Sequence, residues 1–266
     1  MKNLFREITS FCFRIIEKIH DKFFWHHQEH IEGQMYWTVL LKKLPYVRGS
    51  IAREIQTSFL HPHTLITTLK PFKKGFNSSS FTFFSLNTHK KQWILKIGHR
   101  ISPVVDFGDP SSPSYAKLQE KHLRLLEKLI STFPRLQFLL PFPHLVQWIQ
   151  HPFYSRKEGR TVILQPYLSI LKPIEIRKLP PDTKNRLLLE LEDFEKLCAL
   201  LFEEHHLLPD LLGEDNVVVV RFEKDGYHLV LLDLGLMNME FPLPLTKAAM
   251  HNAYLQSFKH YRTLLK

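Results

Sequence analysis

The chain has 266 residues, 44% hydrophobic and 23% charged, which places it among ordinary globular proteins with enough length to bury a sizeable core in one large or two small domains. Its 36 basic and 26 acidic residues give a formal charge of +10, which favours an anionic partner such as a nucleotide, nucleic acid, lipopolysaccharide or a membrane surface. No apolar run approaches the roughly 18 residues of a membrane span, and the N-terminus lacks a signal peptide's apolar stretch and cleavage site, so a soluble or peripheral protein is expected. Cys12 and Cys198 stand far apart at apolar positions of helix-like segments, which argues against a disulfide framework and fits a reducing, cytoplasmic setting.

In chain order, Leu4, Phe5, Ile8, Phe11, Cys12, Ile15, Ile16 and Ile19 recur at helical spacing, so an amphipathic helix opens the chain. Packing on the main domain is its expected role. A peripheral membrane contact stays open, although the polar face mixes acids with bases. Next, His26, Glu29 and His30 in "HHQEH" fit the H-x-x-E-H pattern of inverted zinc proteases, without an obvious third ligand nearby. His61 and His63 read as loop residues.

From about residue 64 three short strands are expected, separated by "KKGFN" and "NTHKKQ". A helix beginning near Ser114 follows, its period drawn from Leu118, Leu125, Leu126 and Leu129. Two more strands, in "HLVQWIQHPFYS" and "TVILQPYL", are joined by the turn "RKEG". After the break "SILKPIEIRKLPPD" comes a long helix from about Thr183 to Glu204. A hairpin of "NVVVVRF" and "YHLVLLDL" turns at Asp225-Gly226, and one more amphipathic helix closes the sequence.

Several polar residues fall at meaningful places on these elements. Lys96 lies among apolar residues in the strand "WILKIG", and Glu120 lies one or two turns into the following helix, with Glu127 as a second choice. "LLPDLLGEDN" puts Asp210 and Asn216 just before the hairpin, and "LLDLG" puts Asp233 just after it. Two carboxylates and a carboxamide at the ends of one hairpin can converge on an oxygen-loving cation.

This order resembles the protein-kinase-like superfamily, over roughly two thirds of the chain. The resemblance implies an α+β, bilobal fold: a five-stranded antiparallel small-lobe sheet with one helix, and a reduced, mainly helical large lobe carrying a catalytic β-hairpin. It divides the chain into an N-terminal helical extension (1–59), the small lobe (60–168) and the reduced large lobe (169–266). It further implies an ATP- and Mg²⁺-dependent phosphotransferase acting on a hydroxyl of a protein, sugar or lipid headgroup.

By the same resemblance, Lys96 would sit on the ATP phosphates with Glu120 as its ion-pair partner, and Asp210 would handle the hydroxyl proton. Asn216 and Asp233 would ligate Mg²⁺. "LQPYL", with Gln165 and Tyr167, would be the hinge whose backbone reads adenine, and Gly75 with Ser78 and Ser79 would cover the phosphates. The chain departs from the family at Leu208-Pro209-Asp210, where H-R-D is usual, and the interval from Asp210 to Asn216 is one residue longer, so Asp215 stays open as a rival to Asp210. Only 33 of the 266 residues follow Asp233, which points to small, divergent bacterial-type kinases, lipopolysaccharide-core kinases being one group of similar size. A pseudokinase serving as a nucleotide- or protein-binding module is the alternative. A basic nucleic-acid-binding protein and a zinc metalloprotease are the minor ones; no dense basic stripe, P-loop or serine nucleophile elbow is present.

Overall fold

The structure is a computed structural model that describes residues 34–43, 70–71, 81–87, 92–98, 112–141, 144–150, 159–209, 211, 216–232, 235–239 and 244–266. The chain is α+β. Its larger sheet is antiparallel, with strands β1 (Lys70–Pro71), β2 (Phe81–Asn87), β3 (Gln92–Gly98), β4 (Leu145–Gln150) and β5 (Gly159–Pro166) in the order β1-β2-β3-β5-β4.

Trp93 to Gly98 are all buried, as is nearly all of β5, because both faces of the sheet are covered. On one face a helix absent from the sequence-based expectations, α1 (residues 34–43), lays Tyr36, Trp37 and Leu40 against Trp93, Leu95, Ile97, Val162 and Leu164. Burying an aromatic or branched side chain of this kind is worth about 1.5–3 kcal/mol over leaving it exposed, and Trp93, Leu95 and Leu164 are wholly buried. Residues 34–43 thus share a core with the strands, although they fall within the stretch 1–59 expected to form an extension. On the other face, helix α2 (Pro113–Ile130) sets Ala116 over Val146 and Ile163. Gly159 is required beside Trp148, since a Cβ there would come within 2.3 Å of the indole.

Helix α2 starts at Pro113, with the Ser112 side chain accepting a hydrogen bond from the Ser114 N–H at 3.3 Å. Its buried face is Tyr115, Ala116, Gln119, His122, Leu123, Leu126, Leu129 and Ile130. The expected stripe was turned too far, because Leu118 is 39% exposed. Gln119 and His122 stand on the face that a reading of apolar residues alone assigns to leucines.

A second core gathers the rest of the chain. After the short helix α3 (Pro173–Arg177), the long helix α4 (Pro181–His205) begins on a proline at its first turn and ends on His206 in the left-handed region, φ 52°. Its buried Leu187, Leu191, Phe194, Leu197 and Leu201 face the hairpin β7 (Val217–Phe222) and β8 (Gly226–Leu231) and the closing helix α5 (Pro244–Leu265). Val217, Val219, Leu229 and Leu231 point into this core, while Val218, Val220 and Val230 form a separate cluster with Leu168 and Leu232. The hairpin is therefore buried on both sides, as its unbroken valine run allows. Between α4 and the end of the chain, β6 (Leu207–Pro209) pairs with β9 (Leu236–Asn238), a two-stranded sheet too short to show in the sequence. Cys198 is fully buried, as expected, and burial pushes its thiol up. Cys12 and the opening helix, the H-x-x-E-H residues His26, Glu29 and His30, and His61 with His63 lie outside the described residues.

Candidate functional site

Lys96 is the ionisable residue that β3 carries into the interior, at 7% exposure. Its Nζ donates to the backbone oxygen of Leu232 at 3.3 Å, tying the five-stranded sheet to the residue just before Asp233. The Leu232 N–H in turn donates to the main-chain oxygen of Asn216 at 2.8 Å, and the Leu231 N–H donates to the main-chain oxygen of Leu139 at 2.9 Å. One ammonium and both ends of the hairpin thus meet. The Tyr261 hydroxyl, donating to the Val217 oxygen, fixes the start of β7 from α5.

A second pairing brings the flanking chain to the same end of the hairpin. Pro209, which precedes Asp210, is paired with Leu236, and Gly235 is the last residue described before that pair. Asp210, Asp215 and Asp233 themselves lie outside the described residues, as do Gly75, Ser78 and Ser79. Among the described residues no group of three or more His, Cys, Asp or Glu is gathered to hold a metal.

The wall around Lys96 is built by register. Lys96 is opposite Ile163, and Ile94 is opposite Gln165, so Lys96 and Gln165 share the face that α2 covers. Gln165 is 7% exposed and its Oε1 is buried without a hydrogen-bond partner among the described residues, an acceptor that costs free energy unless something donates to it. Beyond it the chain leaves the sheet: the Tyr167 N–H donates to the Gln92 oxygen at 2.8 Å, and the Tyr167 side chain is 41% exposed. Leu168 then packs against the Val218, Val220 and Val230 cluster, which Leu232 also joins.

The structure does not bring Glu120 to Lys96. Glu120 lies on the exposed side of α2 and binds Arg124 at 2.6 Å, one turn along the same helix. Glu127 is exposed; partial burial pushes its carboxyl up and Arg124 pulls it back down. Gln119, next to Glu120, is the residue that α2 buries, at 4% exposure. A buried stripe of Ala116, Gln119, Leu123, Leu126 and Ile130 at spacings of three and four marks it in the sequence, once polar residues are admitted to the face. His122 lies on the same side, and burial, with Lys121 adding to it, lowers it to about 4, so the ring is neutral at ordinary pH.

Chemically, a buried ammonium offers three N–H donors and attracts anions more strongly than a solvated one. The described residues present that cation and a buried carboxamide acceptor on one face of the five-stranded sheet.

No protein-family model matches the chain, and no curated protein matches it. Among solved structures, it is similar to a crystallised kinase domain at 12% identity and a TM-score of 0.35, over 71% of this chain and 57% of that one, so the chain spans little more than half of that kinase domain's length. It is also similar to a protein named as a fructosamine-3-kinase of Haemophilus somnus 129PT, at 12% identity and a TM-score of 0.37, over 87% of this chain and 89% of that one. The descriptions of both of these structures name a kinase.

Proposed function

We propose that the chain is an ATP-dependent phosphotransferase of protein-kinase-like, bilobal fold that moves the γ-phosphate to a hydroxyl of a protein, sugar or lipid headgroup. The observation that carries this reading is the hydrogen bond from buried Lys96 to the Leu232 oxygen, with Leu232 bound to Asn216. It joins the strand lysine, the hairpin's asparagine and the threshold of Asp-Leu-Gly in one place. In this reading 60–168 form the small lobe and 169–266 the reduced large lobe.

The residues present fit a nucleotide: Lys96 is a buried cation for phosphate oxygens, and Gln165 is a buried acceptor on the same face. Bound Mg·ATP supplies the activated phosphoryl group. Asn216 and Asp233 are the oxygen ligands for Mg²⁺, an all-oxygen set that suits it. Leu232, which precedes Asp233 in the chain, is held by the Asn216 main-chain oxygen, and Pro209, which precedes Asp210, pairs with Leu236. Asp210 takes the hydroxyl proton, with Asp215 as its rival. Gly75, Ser78 and Ser79 cover the phosphates, and the backbone around Tyr167 reads the base.

A second reading, a pseudokinase that binds without turnover, is favoured by one observation: Glu120 is engaged with Arg124 and Gln119 takes the buried place on α2. Nucleotide turnover with Mg²⁺, measured on the wild-type chain and on Asp210→Ala and Asp233→Ala, separates the two. A positioned base contributes about 10²- to 10⁴-fold in rate, and Asp210→Ala is expected to slow by that order. Nucleotide binding without turnover selects the pseudokinase, and a chain that neither binds nor turns over nucleotide overturns both.

A further inference from the structure

A buried acid and imidazole join α4 to the hairpin, remote from Lys96. Glu190 on α4 is 3% exposed and His228 on β8 is 7% exposed, and Glu190 Oε1 is 2.7 Å from His228 Nδ1. The other carboxylate oxygen, Oε2, accepts the Leu229 N–H at 2.9 Å. The second ring nitrogen, Nε2, is 3.0 Å from the Asp225 carbonyl oxygen. Phe138 stacks on the imidazole at 3.9 Å between centroids, and Phe222 meets it edge-on at 5.9 Å.

These contacts fix the hydrogens. A carbonyl oxygen only accepts, so Nε2 carries a hydrogen, and a separation of 2.7 Å between Nδ1 and Oε1 requires one more between them. We propose that a single proton shared by Glu190 and His228 latches the hairpin onto α4, so that the seating of β7 and β8 is under proton control. The pair is neutral overall whichever atom holds the proton. Losing it leaves a buried carboxylate facing an imidazole lone pair, which burial makes costly.

Burial pushes the Glu190 carboxyl up from its ordinary range, opposed by the Leu229 N–H, by His228 and by Arg186. Among the described residues, the charged and titratable groups around the pair lie on α4, on β7 and in the turn. Arg186, one turn earlier on α4, donates to the Tyr227 oxygen at 2.8 Å; Glu223, Lys224 and Asp225 occupy the exposed turn; and Arg221 on β7 lies over the Tyr227 ring at 5.9 Å. The segment before β4 contributes the Phe138 ring. For a carboxyl whose folded value is raised, the associated stability is present below the unfolded value and is lost as pH rises through the folded one. The latch therefore weakens towards high pH.

The test compares melting of the wild-type chain with Glu190→Gln at about pH 5.5 and about pH 8, either side of the ordinary histidine range. The glutamine amide accepts the Leu229 N–H and donates to a neutral Nδ1, completing the same contacts without a titrating proton. The wild type is expected to lose at least ~2–4 °C more than Glu190→Gln between the two conditions. Equal losses overturn the proposal. If Glu190→Gln fails to fold, the proton spectrum of the wild type decides: a slowly exchanging downfield resonance that fades as pH rises supports the latch, and its absence at low pH refutes it. Neither readout depends on nucleotide, so the result is independent of the phosphotransferase reading.

Discussion

Replacing Lys96 by methionine removes the ammonium while keeping an unbranched apolar stem of similar length in a site that is 7% exposed. The charged hydrogen bond to the Leu232 oxygen, 3.3 Å long, is lost, and such bonds contribute about 1.5–3 kcal/mol. Against that, the folded state no longer has to bury a cation, whose desolvation costs several kcal/mol where it is not offset. The two terms oppose each other, so Lys96→Met is expected to fold with stability within about 1–2 kcal/mol of wild type.

Nucleotide binding separates the variants more sharply. A ligand at about 100 times its Kd stabilises the folded state by about 2.7 kcal/mol, which for a chain of this size is a rise in Tm of ~5–10 °C. Melting in the presence and absence of Mg·ATP should show that rise for wild type and little or none for Lys96→Met. An equal rise in both removes Lys96 from the nucleotide site and with it the observation on which the proposed function rests.

Glu120→Ala is expected to change stability by less than about 0.5 kcal/mol and to leave the Mg·ATP-dependent rise in Tm intact, because its carboxylate is 51% exposed and pairs along its own helix with Arg124; a rise abolished in this variant would place Glu120 in the site after all. Gly226→Ala should destabilise by about 1–2 kcal/mol in chemical denaturation, since Gly226 has φ +88° and a Cβ there would lie 3.1 Å from the Arg186 guanidinium. A neutral outcome would mean that the turn relaxes.

The secondary structure was legible wherever one period dominated a segment. The run from Val217 to Leu231, interrupted at Asp225-Gly226, reads as a hairpin by its valines and its turn, and α4 and α5 read by their spacing and their prolines. Helix α1 was not legible, because its ten residues carry too little periodic signal and its apolar side chains acquire meaning only against a sheet that comes later in the chain. The orientation of α2 was misread for a related reason. Its buried face includes Gln119 and His122, while Leu118 is turned to solvent, so counting leucines rotated the helix. Lys96 itself stood out in the sequence by its place among the apolar residues of β3. Its join did not, since Lys96 meets a backbone oxygen, and a main-chain acceptor leaves no mark in a sequence. The Glu190 and His228 pair escaped notice altogether: 38 residues separate them, and a lone acid on a helix and a lone histidine in a strand give no hint of each other.

The cover that α1 provides for the sheet has a consequence for how the chain is made. Tyr36, Trp37 and Leu40 pack on strands that end with β5 at Pro166, more than a hundred residues after α1 ends at residue 43. At about 5–20 residues per second the ribosome delivers that partner surface roughly 6–25 s after the helix. Until then Val162 and Leu164 are missing from the surface on which Tyr36, Trp37 and Leu40 bury themselves, so this stretch offers apolar side chains to a chaperone on the nascent chain.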